Sequence, residues 1–386
     1  MDLIFADNVE SPRSVEKMIG LCEQYPGRAK ALLCSGEITD WLTSIHEADL
    51  AESTKHLTRS YAEHNLNEFI SICKSSLSPQ SPRLDIRQIF EKLAKQSTLT
   101  FLLLGRTGVG KSSTVNSFLG KDVCPVGDFE VTTQTFQIFE TKINGVDCRI
   151  CDTPGFADGT NKESQYLEII RREVGRVDCV WFVTNLAESR IRSDEIETIR
   201  LITSFFGKNI WEKSLIVLTH ADWVNSQNYQ HTLQERSRLL RERIYKETST
   251  ESALSIPTIA ISNKKETTPD GDLWLGELFT HTLTRISNSG TFPLLAVTSD
   301  RLKIQNSPLP LNRQHNIPIN QGQKRQIKQT LENKSDFADS IKPILKTVDG
   351  ALDTIEPMVS FFTPPQLKPL IPMIKSGIKA IISLFN

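Results

Sequence analysis

The residues with the clearest chemistry run from Gly105 to Ser112 and fit the pattern G-x-x-x-x-G-K-[ST]. They follow an apolar run at residues 101–104 and precede a helical pattern, which is the context that such a loop requires. Glycines there let backbone N–H groups close around phosphate oxygens, and the helix start adds positive potential. We expect Lys111 to reach the β and γ phosphates and Ser112 to bind Mg²⁺. The alternative is a chance glycine-rich turn. The predicted phosphate-contacting set is Gly105, Arg106, Thr107, Gly108, Val109, Gly110, Lys111, Ser112 and Ser113.

A carboxylate and a glycine follow a later apolar run, about forty residues beyond this loop, in the sequence Asp152-Thr-Pro-Gly155. We expect Asp152 to hold Mg²⁺ through water and the Gly155 N–H to sense the γ-phosphate. A D-x-P-G by itself is a common turn, but its place after a strand favours the nucleotide role.

Hydroxyls lie between these two motifs, in the stretch 131–135. One of them should complete the Mg²⁺ shell, and we favour Thr133 and then Thr132. Threonines in a β-rich stretch can also be plain strand formers.

A third motif, Thr219-His220-Ala221-Asp222, comes directly after the apolar run 214–218. A carboxylate there can accept two hydrogen bonds from the ring N–H and exocyclic amino group of guanine, which adenine lacks in that arrangement. The flat His220 side chain can stack on the base. Ser262 and Asn263 follow the next apolar run, and their backbone and the side-chain amide of Asn263 could contact the carbonyl group of the base. The alternative is that Asp222 only caps a helix.

Short apolar runs alternate with helical patterns between residues 99 and 286, which indicates a parallel sheet covered on both faces. The runs are 99–104, 136–140, 148–151, 178–183, 214–218 and 257–261, and helical patterns begin near residues 111, 163, 193, 229 and 273. The sequence therefore predicts an α/β, Ras-like doubly wound and mostly parallel sheet.

Helical patterns flank this region on both sides. We predict a helical N-terminal interaction module at 1–78, with a helix over 49–73, and a linker with a lead-in helix at 79–97. The G domain follows at 98–290, then an extended linker at 291–322 and a helical amphipathic region at 323–386. Its last helix, over 371–385, can lie on a membrane surface or pack against the protein itself.

The overall composition bears on which classes of partner and which cellular location the sequence favours. Lys plus Arg number 45 and Asp plus Glu number 46, so no charge excess favours nucleic acid. The N-terminus has no cationic region before a long apolar run, and no stretch reaches the length of a membrane span. We expect a cytoplasmic protein, with peripheral membrane contact as the alternative location.

Taken together, the motif sequences resemble the paraseptin GTPases, which include the immunity-associated (GIMAP/AIG-type) and chloroplast-import (Toc) GTPases. The resemblance rests on the runs Gly105–Lys121, Asp152–Phe156, Ser204–Gly207 and Leu218–Asp222, and it covers about residues 99–286. It implies a Ras-like fold that binds GTP or GDP with Mg²⁺, hydrolyses GTP slowly and pairs face to face through the nucleotide side.

Two positions bear on catalysis through this resemblance. Arg190 matches an arginine that contacts the partner's nucleotide in the family, and the alternative is an exposed, solvated arginine. Phe156 follows Gly155, in the region where Ras has a glutamine that orients the attacking water. Because that glutamine is missing here, we expect slow unassisted turnover.

Three functions are consistent with these features. The leading one is a GTPase switch that engages a protein partner through the N-terminal helices or a membrane through the C-terminal helix. The second is a GTP-dependent assembly protein with incidental hydrolysis. The third is an ATPase with a degenerate base motif.

Overall fold

The structure, a computed structural model, describes residues 3–6, 9–45, 47–59, 63–77, 89, 92–93, 95–126, 137–153, 172, 175–304, 316–334 and 365–385. The chain divides into two units, Met1–Asp85 and Ile86–Asn386. The division falls inside the segment 79–97 that the sequence predicts as a linker.

Short helices pack around one apolar core in the described part of the first unit. They are α1 (Val15–Gln24), α2 (Pro26–Ser35), α3 (Glu37–Ser44), α4 (Ala48–Thr54) and α5 (Glu63–Leu77). Trp41, only 1% exposed, lies in this core with Met18 and Phe69. The single helix predicted over 49–73 is interrupted by a 3-10 turn at Lys55–Arg59. Just before it, the Thr54 hydroxyl donates to the Leu50 carbonyl, a side-chain bond that competes with regular helix.

The second unit is built on a six-stranded sheet. Its strands are β1 (Thr98–Leu104), β2 (Gln137–Ile143), β3 (Val146–Asp152), β4 (Cys179–Asn185), β5 (Ser214–Thr219) and β6 (Thr258–Ala260). Their order is β2-β3-β1-β4-β5-β6. All neighbouring pairs are parallel except β2 and β3. The predicted doubly wound, mostly parallel sheet is therefore confirmed.

Both faces of the sheet are covered because its central strands are continuous apolar runs. On one face the rings of Phe101 and Trp181 contact Phe118. On the other, Phe182 contacts Trp211. The covering helices include α6 (Lys111–Leu119), α7 (Ser193–Phe206), α8 (Ser226–Thr248) and α9 (Trp274–Arg285). They begin close to the predicted positions, and the helix predicted near residue 163 lies outside the described residues.

A tight hairpin turn makes β2 an antiparallel edge strand. Asn144 and Gly145 form the turn with φ values of 50° and 82°, the conformation in which Asn-Gly hairpins match the twist of their strands. The apolar runs in the sequence predict both strands but not their antiparallel pairing.

Helices and two short strands follow the sheet. They are α10 (Asn288–Thr298), β7 (Leu302–Ile304), β8 (Ile317–Ile319), α11 (Gln321–Asn333) and α12 (Ile371–Phe385). The prediction of an extended linker at 291–322 is wrong for residues 291–298, because Ser287 caps α10 by accepting the Gly290 N–H at 3.0 Å. Burial of Leu294 and Leu295 then offsets the poor helix propensity of Pro293.

The last helix, α12, has the bounds that the sequence predicts and packs against α10. Gly377 lies so close to Phe292 that a Cβ added at Gly377 would stand 2.4 Å from the Phe292 ring. Met373, Ile374 and Ile378 are buried. Of the two interpretations of this helix, membrane contact or packing against the protein itself, the structure shows packing against the protein. Among the described residues, we find no helix with the length and apolarity needed to cross a membrane.

Candidate functional site

The loop between β1 and α6 has the backbone that its glycines allow. Gly105, Gly108 and Gly110 have φ values of 140°, 77° and 92°. A Cβ at Gly105 would stand 2.0 Å from the Val183 carbonyl oxygen, so only glycine fits there. A Cβ at Gly108 would meet no atom within 4 Å, so the loop is open on that side. The loop is therefore rigid on its sheet side and accessible where a phosphate would approach.

Lys111 is folded into this loop and is nearly inaccessible to water. Its Nζ donates to the carbonyl oxygens of Gly105 at 3.1 Å and Arg106 at 3.2 Å and lies 3.5 Å from Oδ1 of Asp152. Burial lowers the pKa of Lys111, and the nearby Asp152 carboxylate opposes that shift. The ammonium group thus lies inside the loop, next to the Asp152 carboxylate.

Ser112 and Asp152 lie together, as the sequence predicts. Ser112 Oγ donates to Asp152 Oδ2 at 2.8 Å, and Asp152 Oδ1 has no hydrogen-bond partner among the described residues. The parallel register that pairs Leu103 with Asp152 places this carboxylate at the carboxyl end of β3, beside the loop. A hydroxyl and a carboxylate that has one oxygen without a hydrogen bond are hard donors of the kind that Mg²⁺ prefers, so these residues fit the ion.

Thr219 joins the base motif to the phosphate loop. Its buried Oγ1 contacts the carbonyl oxygens of Val109 at 2.7 Å and Thr184 at 3.1 Å, and it lies 2.9 Å from Nδ1 of His220. His220 has a left-handed backbone, with φ 58° and ψ 35°, which turns the chain sharply after β5. The end of β5 is therefore fixed against the loop.

Asp222 and Ser262 also come together across neighbouring loops. Ser262 Oγ donates to Asp222 Oδ1 at 2.8 Å. Asp222 lies within a 3-10 turn, Ala221–Trp223, and the helix that follows, α8, is capped by Asn225, whose side chain accepts the Gln227 N–H. The carboxylate is thus oriented by a neighbouring hydroxyl, which favours base binding over helix capping.

An aromatic pair stands next to this carboxylate. The rings of His220 and Trp223 lie 4.1 Å apart at 44°, and Trp223 is 59% exposed. Burial lowers the pKa of His220, Lys264 lowers it further and Asp222 opposes both. Trp223 is not among the residues predicted from sequence, although an aromatic residue directly after a base motif is a usable signal.

Asn263 has a different position from the one expected. Its Nδ2 donates to Thr114 Oγ1 at 3.1 Å and to the Gly110 carbonyl at 3.3 Å. The amide therefore braces the start of α6, and only the backbone of Asn263 is left for a base carbonyl.

The remaining predicted residues lie around the loop or outside the described chain. Arg106 is exposed and its Nε lies 3.7 Å from Asp194 Oδ2. Thr107 and Ser113 are half-buried. The predicted residues Thr133 and Gly155, together with Thr132 and Phe156, are outside the described residues.

Arg190 lies in the loop between β4 and α7 with an exposed side chain. That side chain makes no hydrogen bond or ion pair with any residue that the structure describes. Its carbonyl oxygen, in contrast, accepts from Nη1 of the buried Arg236 at 2.9 Å. Arg236 is not among the residues predicted from sequence, because a charged residue in a polar helix normally faces solvent.

Comparisons with known proteins find relatives over the part of the chain that contains these motifs. The AIG1 family model matches residues 99–264, which contain the phosphate loop, Asp152 and the base motif. Translocase of chloroplast 34 of Arabidopsis thaliana is 31% identical over 246 residues, 59% of this chain and 78% of that protein. Translocase of chloroplast 33 of the same plant is 35% identical over 149 residues, 38% of this chain and 50% of that protein.

A solved structure is also similar in sequence. The crystal structure of Toc33 from Arabidopsis thaliana in complex with GDP and Mg²⁺ is 27% identical, with 54% of this chain and 90% of that chain covered and a TM-score of 0.43. The chain thus spans most of one curated relative and half of another. On the sequence matches, the chain belongs to the AIG1 family, as a G-domain GTPase similar to the translocase-of-chloroplast proteins.

Proposed function

We propose that this chain is a GTP-hydrolysing switch that binds GTP and GDP with Mg²⁺, turns over slowly alone and is accelerated when two G domains pair through their nucleotide faces. The observation that carries the proposal is the meeting of Lys111, Ser112 and Asp152 at one edge of the sheet, beside an open glycine loop. These residue types bind and neutralise a nucleoside triphosphate.

Each residue has a distinct role in this proposal. Lys111 exchanges its loop carbonyls for the β and γ phosphate oxygens and stabilises the charge that develops between them. Ser112 and Asp152 would hold Mg²⁺, which neutralises phosphate charge when bound. Asp222, oriented by Ser262, accepts from guanine, and the ring of His220 stacks on the base. Thr133, with Thr132 as the alternative, remains the residue proposed to complete the Mg²⁺ shell, and the Gly155 N–H remains the proposed sensor of the γ-phosphate.

Pairing is proposed from the position of Arg190. Its side chain is exposed and has no partner among the described residues, while its main chain is fixed. A guanidinium that projects from a fixed main chain would be available to the phosphates of a nucleotide bound to a second copy. An arginine supplied across such an interface accelerates phosphoryl transfer in other GTPases by several orders of magnitude.

Calorimetry with GDP, GTP, ADP and ATP tests the nucleotide part of the proposal. We expect binding of the guanine nucleotides to be at least tenfold tighter, because the Asp222 carboxylate gains hydrogen bonds that adenine does not offer. Equal affinity for the two bases would contradict it and favour the ATPase.

Sedimentation with a non-hydrolysable GTP analogue separates a switch from a GTP-dependent assembly protein. A reversible dimer is expected, and larger assemblies that form without any rise in turnover would favour the assembly protein.

The flanking segments are the proposed sites of partner engagement. The first unit has its own core and is a candidate protein-binding module. Contact of α12 with a membrane would require α12 to leave α10, because its apolar side chains are buried. Liposome flotation of the full chain, with and without residues 367–386, tests this: flotation that depends on those residues supports membrane contact.

A further inference from the structure

A buried cation in α8 has no role in the nucleotide site described so far. Arg236 is 2% exposed, and its Nη2 contacts the Glu195 carboxylate and, at 3.1 Å, Thr184 Oγ1. Its Nε has no hydrogen-bond partner among the described residues. A buried ion pair with an unsatisfied N–H is a weak source of stability. The arrangement therefore favours a role in fixing local geometry.

The pair holds the loop that carries Arg190 at two points. Arg236 Nη1 donates to the Arg190 carbonyl at 2.9 Å, and Glu195 Oε2 accepts the Arg192 N–H at 2.9 Å. The main chain is thus fixed at Arg190 and again two residues later, while the Arg190 side chain remains exposed.

The same polar contacts continue to the phosphate loop. The Thr184 hydroxyl donates to Glu195, and the Thr184 carbonyl oxygen lies 3.1 Å from Thr219 Oγ1. That Thr219 hydroxyl is 2.7 Å from the carbonyl oxygen of Val109. A continuous set of buried contacts therefore connects the phosphate loop to the main chain of Arg190.

We propose that Arg236 and Glu195 are positioning residues that fix the main chain of residues 190–192 relative to the phosphate loop, so that Arg190 is presented to the nucleotide of a second copy. This inference rests on the proposed pairing function and extends it to two residues that do not touch nucleotide. Fixing the loop beforehand removes the entropy of ordering it at each encounter, and small errors in placement cost much rate.

Two variants separate positioning from stability. Arg236→Lys keeps a positive charge beside Glu195, but one ammonium group does not reproduce the planar fork that also reaches the Arg190 carbonyl. The double variant Arg236→Met/Glu195→Gln removes both buried charges and so leaves no unpaired ion. Arg238→Met is the matched control, because Arg238 lies on the same helix, is about half exposed and pairs only with Glu235 and Glu242 among the described residues.

GTP turnover per chain is measured at low and high protein concentration, together with the thermal unfolding midpoint. We expect the increase in turnover with concentration to fall about tenfold or more in Arg236→Lys and in the double variant. The unfolding midpoint of the double variant should stay near that of the wild-type chain, and the control should keep both properties. A lowered midpoint with full acceleration would overturn the inference and leave Arg236 a structural residue.

A mutant cycle completes the test. If Arg236 acts through Arg190, Arg190→Ala/Arg236→Lys should lose no more acceleration than Arg190→Ala alone. If the fold-losses of the two single variants multiply in the double variant, the inference is overturned. Full acceleration in Arg190→Ala would overturn the proposed pairing role itself. Loss in Arg190→Ala with wild-type behaviour in Arg236→Lys would overturn the positioning role only.

Discussion

Replacement of Asp222 by asparagine should invert the choice of base. In the structure, Ser262 Oγ donates to Asp222 Oδ1 at 2.8 Å. An asparagine that keeps this bond must place its carbonyl oxygen at the Oδ1 position and its NH₂ group at the Oδ2 position. That NH₂ group would then face the donors of guanine, but it would suit the C2 carbonyl of xanthine.

The magnitude follows from the bonds that are lost. A hydrogen bond to a charged group is worth about 1.5–3 kcal/mol, so opposing one donor of guanine with an NH₂ group and leaving the other donor only a neutral acceptor costs about 3–5 kcal/mol. At 1.4 kcal/mol per decade this corresponds to GDP affinity lower by roughly two to four powers of ten.

Calorimetry with GDP and xanthosine diphosphate measures the effect directly. We expect Asp222→Asn to bind xanthosine diphosphate more tightly than GDP, the reverse of the wild-type order. Asp300→Asn serves as the control, because Asp300 pairs with Lys379 of α12. This variant should leave both affinities unchanged. GDP affinity in Asp222→Asn within about threefold of wild type would refute the assignment of this carboxylate to the base.

Three further changes have defined outcomes. Thr219→Val removes the hydroxyl that lies within hydrogen-bond distance of the Val109 and Thr184 carbonyl oxygens, and it should lower the free energy of unfolding by about 1–3 kcal/mol in urea titrations. No change would contradict the role of Thr219 in fixing β5. Because burial lowers the pKa of His220 below 6.5, the unfolded chain takes up a proton more readily. The free energy of unfolding should therefore fall as pH drops below that value, and His220→Gln should lose this part of the pH dependence measured by denaturation at several pH values. Gly377→Ala should lower the free energy of unfolding by about 1–3 kcal/mol, and with it the thermal midpoint, because the added methyl group clashes with Phe292. The control Ser376→Ala should leave the thermal midpoint nearly unchanged.

The sheet was predictable because its central strands are uninterrupted apolar runs, and each run marks a strand that the structure contains. The phosphate loop and Asp152 were predictable for a related reason: parallel strands carry their carboxyl ends to one edge of the sheet. The meeting of Ser112 with Asp152, forty positions apart in sequence, follows from that rule.

Other features depend on tertiary context that periodicity does not report. Helix α10 contains Pro293, so its sequence alone predicts irregular structure. The helix is stabilised by burial against α12, which the sequence does not report. Arg236 and Glu195 are 41 positions apart on two helices, and each looks like a solvated charge in its own helical pattern. Nothing in local sequence indicated that Asn263 would turn its amide toward the phosphate loop and not toward a base.

The central claim is that the chain hydrolyses GTP and that pairing of two G domains accelerates this reaction. The most direct test is steady-state GTP turnover per chain, measured across a wide range of protein concentration with saturating GTP and Mg²⁺. We predict a slow rate at low concentration that rises and then reaches a plateau as the dimer becomes saturated. A rate per chain that stays constant across the whole range, or no hydrolysis at all, would contradict the account.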